Sequence, residues 1–120
     1  MSPSGAEAGL QTARALLSPD RVGLTLDPVP PDPSLEQLGA LAGFGGVVAD
    51  HDIRVSVYVL DAWGRGHDHV EALKSRAEAD GRRVCAAVNG ELLFVGTAVE
   101  GDENARFVLN DLCSAFAGWE

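Results

Sequence analysis

Apolar residues recur along this chain with two periods, and the changes between them set the expected order of elements. Residues 83–95 carry the period of two: Val84 to Val88 and Leu92 to Val95 are short apolar runs on either side of Asn89-Gly90. Asn followed by Gly meets the positive φ that both central positions of a type I′ turn require. A hairpin closed there pairs Val88 with Glu91, Ala87 with Leu92, Ala86 with Leu93, Cys85 with Phe94 and Val84 with Val95. Alternation then puts Val84, Ala86, Leu93 and Val95 on one face and Cys85, Ala87, Leu92 and Phe94 on the other. Both faces are apolar, whereas an antiparallel hairpin ordinarily wets one. The second face is expected to meet a helix, another sheet or a second copy of the chain, which makes Val84, Ala86, Leu93 and Val95 the candidate subunit interface.

From the N-terminus, residues 1–4 read as a disordered tail. Ala6, Leu10, Ala13 and Leu17 share one side of a helix that Ser18-Pro19-Asp20 stops, because proline disfavours α geometry in the residue before it. Val22, Leu24 and Leu26 alternate as a half-buried strand. Residues 28–33, four of them proline, read as a stiff connector unable to donate a hydrogen-bond ladder. Its PxxP spacing lacks the flanking basic residue of an SH3 ligand. Ser34 caps the next helix, with Gln37 completing a capping box, and Gly43, Gly45 and Gly46 end it. No Lys and no helix follow those glycines, so they do not form a phosphate loop.

Val47 to Ala49 is a short strand, residues 50–52 a turn, and Ile53 to Leu60 a strong strand. It points Val55, Val57 and Val59 one way and Ser56, Tyr58 and Leu60 the other. A loop over 61–66 holds Trp63 and Arg65. Asp68 can cap a helix whose stripe is Val70, Leu73 and Ala77, closed by Asp80-Gly81. After the hairpin, Ala105, Val108, Leu109, Leu112, Cys113 and Phe116 form the wide apolar stripe of a final helix, with Phe107 off it.

The fold class is α+β, one domain over residues 1–120, with a helix at each terminus. From Val22 the order βαββαβ is that of a ferredoxin-like sheet or a related antiparallel or mixed sheet of about four or five strands covered by helices. If the strand at 22–26 is weak, the remaining order resembles that of the α+β dimers of bacterial secretion chaperones, which are also small and acidic. The likeness is one of element order, not of motif residues, and implies a chaperone- or regulator-like protein.

Charge narrows the partners. The chain carries 9 Lys and Arg against 18 Asp and Glu, a formal charge of −9. Counterion release at phosphates needs clustered cations, and the only basic pair, Arg82-Arg83, stands among acidic neighbours, so nucleic acid and anionic membrane are not expected partners. No apolar run approaches the ~18 residues of a membrane span, and the first residues lack the basic and apolar segments of a signal peptide. The expected compartment is the cytoplasm, where Cys85 and Cys113 would be buried reduced thiols. A disulfide is geometrically possible if Cys85 faces the last helix.

The sequence offers little catalytic chemistry. His67 and His69, with Asp68 and Glu71, suggest metal ligands, and His51 suggests a third. However, the 50–52 turn and the 61–67 loop lie at opposite ends of one strand, roughly 25–30 Å apart, and a closed zinc site needs four ligands at about 2.0–2.3 Å. No metal, cofactor or catalytic residue is assigned. The main expectation is a non-catalytic protein-interaction module acting as a homodimer, with a partner held at the interface face or at Trp63 and Arg65. The alternatives are a dimeric α+β-barrel enzyme or small-ligand binder using Tyr58, His67 and His69 with the 61–69 loop, and a metal-sensing domain.

Overall fold

A computed structural model describes residues 5–16, 25–31, 34–48, 52–60, 67–99 and 101–117, apart from the side chains of residues 5–8, 16, 67, 68 and 117. The order is α1 (Gly5–Leu16), β1 (Asp27–Val29), α2 (Leu35–Leu38), β2 (Ala42–Val48), β3 (Ile53–Val59), α3 (His67–Ala79), β4 (Arg82–Asn89), β5 (Leu92–Val99) and α4 (Glu103–Ala117). The strands form one five-stranded sheet in the order β1-β2-β3-β5-β4, and every neighbouring pair is antiparallel. The class is therefore α+β, as the element order implies.

The strand order departs from the ferredoxin-like expectation in its first half. β3 and β4 run parallel with β5 between them, which is one split β-α-β unit around α3. β1 and β2, by contrast, are direct neighbours, so α2 bridges no gap. The cause is local. α2 is a single turn, capped by Ser34 and Gln37 as the capping box predicts, and Gly39 at φ +66° ends it. Gly43, Gly45 and Gly46 then belong to β2 rather than to a helix end. Their small size permits close approach: a methyl on Gly43 would lie 2.5 Å from the Val57 carbonyl oxygen, and one on Gly46 2.8 Å from Leu26 Cβ. β1 also falls partly inside the expected proline connector. Pro28 is tolerated there because β1 is an edge strand.

Alternation on β3 sorts the core into two layers. Val55, Val57 and Val59 pack with Phe94, Leu109, Leu112 and Phe116 beneath α1 and α4. Tyr58 and Leu60 pack with Leu73, Leu93 and Val95 beneath α3 and α2. The stripe of α4 is buried as its periodicity requires, Val108 partly, and Phe107 is 64% exposed. α3 starts at His67, one residue before the Asp68 cap expected for it, and ends at Ala79, with Gly81 at φ +71° in the turn that follows.

The hairpin differs from expectation in register, not in faces. Asn89 pairs with Leu92 and Val88 with Leu93, so Gly90 and Glu91 are the central turn residues. Only Gly90 of the two has positive φ, at +63°, which is the signature of a type II′ turn. Asn89 thereby becomes a strand residue, and its side-chain amide donates to the Phe116 carbonyl at 3.0 Å. Each strand slips by one residue, which leaves Val84, Ala86, Leu93 and Val95 sharing a face. Cys85 and Cys113, expected as separate thiols, are joined as a disulfide with Cα atoms 6.3 Å apart. Cys85 does face the last helix, which is the condition under which the pair can form.

Candidate functional site

Two features stand out against this frame. The first is a cleft of about 90 Å³ on the α3 side of the sheet, lined by Arg54, Ser56, Arg76, Asp80, Arg82 and Thr97 over a floor that includes Val55, Leu73, Ala77 and Val95, with Val29 and Pro30 on one side. Alternation brings these groups together. Arg54 stands opposite Thr97, and Ser56 opposite Val95, across the β3–β5 ladder. The last turn of α3 supplies Arg76, the turn after it Asp80, and β4 begins with Arg82.

Arg82 is the fixed part of the cleft. Its Nε donates to Thr97 Oγ1 at 3.0 Å, and its Nη2 to the carbonyls of Asp52 at 2.9 Å and Thr97 at 3.2 Å. Its side chain is 14% exposed. Asp52, whose carbonyl accepts one of these bonds, lies at φ +48°, a left-handed conformation that Asp tolerates better than most residues. The Asp52 carboxylate stands 3.5 Å from Arg82 Nη1 and 3.9 Å from Arg54 Nε. Both separations exceed the ~2.7–2.9 Å of a strong charge-assisted hydrogen bond. The Arg54 side chain is 61% exposed.

The second feature is the outer edge of β4. α3 and α4 pack on this strand, and among the described residues no strand pairs with its far side. The opposite edge of the sheet, β1, is three residues long and contains Pro28, which are two devices that blunt an edge. β4 is eight residues long, and its middle, Val84 to Val88, has neither charge nor proline. Arg83 Nε is buried without a hydrogen-bond partner among the described residues.

The residues singled out from sequence scatter. Tyr58 is fully buried in the layer beneath α3. Leu93 and Val95 are buried in the same layer, so the chain's own helix covers that part of the expected interface face. Val84 and Ala86, on the edge strand, stay half-buried. His69 is half-buried on α3. Trp63 and Arg65 lie outside the described residues, as do His51 and the side chain of His67. The backbone N–H of Leu60 donates to the Glu91 carbonyl at 2.8 Å, so the hairpin turn stands beside the C-terminal end of β3. Among the described residues no three His, Cys, Asp or Glu side chains converge as metal ligands, and no helix is long and apolar enough to cross a membrane.

The cleft escaped the sequence reading because its arginines come from β3, α3 and β4. One signal was present: Arg54 and Ser56 are polar at alternate positions of a strand whose other residues are apolar. No protein family model matches the chain, and neither curated proteins nor solved structures show a significant similarity to it.

Proposed function

We propose that this chain is a small, acidic, non-catalytic interaction module, chaperone- or regulator-like, that acts as a homodimer joined through the outer edges of two β4 strands. The supporting observation is the contrast between the two edges of the sheet: β1 is short and holds proline, while β4 is long and unguarded. An unpaired row of N–H and C=O groups is a template for another strand. Antiparallel pairing of β4 with its own copy is isologous, and the small side chains of Cys85, Ala86 and Ala87 at its centre let two edges approach. In this arrangement the interface uses Val84 and Ala86 at the edge, while Leu93 and Val95 remain core residues.

Sedimentation of the wild-type chain tests the assembly, with Ala86→Pro and Ala87→Pro alongside. Adjacent N–H groups of an edge strand point in opposite directions, so one of the two prolines spares the β5 ladder and removes only an outward donor. The expected result is a wild-type dimer and one folded, monomeric proline variant. A wild type that stays monomeric at high concentration rejects the proposal.

The disulfide alters one expectation. Cytosolic thiols stay reduced, so a Cys85–Cys113 link fits an oxidising compartment better than the cytoplasm. Thiol labelling of protein taken directly from its cells distinguishes the two.

A further inference from the structure

We infer that the arginine-lined cleft is a binding site for a carboxylate on a short aliphatic stem. Arg54, Arg76 and Arg82 are three of only 9 Lys and Arg residues in a chain of net charge −9, and they meet at one cleft from three different elements. The overall negative charge does not cancel this local field, because separated surface charges are screened beyond about 8 Å at physiological salt. At about 90 Å³ the space holds roughly three waters, far below the several hundred Å³ of a drug-sized ligand. A carboxylate with one or two methylenes matches that size. The lining also matches in kind, with guanidinium groups for the head and Leu73, Ala77 and Val95 for the stem.

Asp52 gives the inference its sharpest consequence. Asp80 is the carboxylate in the lining, and Asp52 adds a second that reaches Arg54 and Arg82 only at 3.9 and 3.5 Å, while Arg82 is already fixed by Thr97 and the Asp52 backbone. An incoming carboxylate can pair closely with the exposed Arg54 head against this rigid wall, and it competes with Asp52 for the same charge. The site stands whether or not β4 pairs with a second copy.

The test is an NMR titration of the full chain with propionate, propionamide and inorganic phosphate, following the amides of Ser56, Ala77 and Thr97. Saturable shifts are expected with propionate and none with propionamide. Asp52→Asn, which keeps a residue tolerant of positive φ, should bind propionate about two- to fivefold more tightly, and Arg54→Gln weaker by a similar factor. Unchanged resonances in α4 confirm that each variant is folded. An acetylated, amidated peptide with one Glu separates the sources: tighter binding than propionate assigns the carboxylate to a protein partner, and equal or weaker binding to a small acid. Absence of saturation, an equal response to propionamide, tighter binding of phosphate, or Asp52→Asn binding no tighter than wild type each overturns the inference.

Discussion

The Asn89 side chain, at the end of β4, donates to the main-chain carbonyl of Phe116 near the end of α4, 3.0 Å away and 27 residues on. One amide thus decides two things, the turn that closes the hairpin and the anchorage of the terminal helix. Asn89→Ala should cost about 1–2 kcal/mol in urea unfolding, since a partly buried carbonyl loses its donor. Asn89→Asp should cost more at neutral pH, because it sets an acceptor against an acceptor. Equal stability of all three proteins would show that water replaces the bond at no loss.

Within α4, burial separates neighbouring apolar residues. Leu112→Ala should lose about 2–5 kcal/mol as a core truncation, whereas Phe107→Ser, at a residue 64% exposed, should stay within about 0.5 kcal/mol of wild type. Guanidinium unfolding of the two variants measures the difference, and its absence would mean that the helix is rotated.

The Cys85–Cys113 link closes a loop with a sequence separation of 28. Its loss should lower stability by about 2–4 kcal/mol, by reductant on the wild type or by Cys113→Ser. A urea midpoint that reductant does not move would show that the thiols are unpaired in solution.

Leu93 separates a subunit interface from a core. It is 0% exposed beneath α3 within one chain, so Leu93→Asp places an unpaired carboxylate in an apolar layer and should abolish the cooperative thermal transition. A folded, monomeric Leu93→Asp protein would instead return this face to the interface role.

Gly43 reports on the spacing of β2. Gly→Ala in a strand ordinarily relieves backbone entropy, but here the added methyl meets the Val57 carbonyl oxygen at 2.5 Å and Leu35 Cδ2 at 2.7 Å. The steric term should prevail, and Gly43→Ala should destabilise by about 1–3 kcal/mol in chemical denaturation.

Much of this fold is legible in the chain because its elements are locally coded. β3 carries unbroken period-two alternation, α3 and α4 carry period-3.6 stripes, and Ser34 with Gln37 forms the capping box that the spacing implies. What was missed depends on neighbours distant in sequence. Gly43, Gly45 and Gly46 resemble a helix stop until Leu35, Val29 and Leu26 are placed against them. The turn at Asn89-Gly90 admits two registers, and the carbonyl of Phe116 selects between them. The cleft is invisible along the chain, because Arg54, Arg76 and Arg82 become neighbours only once β4 lies parallel to β3.

The insertion of β5 between β3 and β4 also bears on the biogenesis of the chain. Synthesis delivers the outer strand β4 before β5, the last strand made and the one that must separate it from β3. Until Val99 has left the ribosome, a vacant slot lies open in the sheet, flanked by bonding groups that any passing strand can fill. A premature stop or a proteolytic cut in this stretch therefore yields a sticky fragment rather than a smaller working domain.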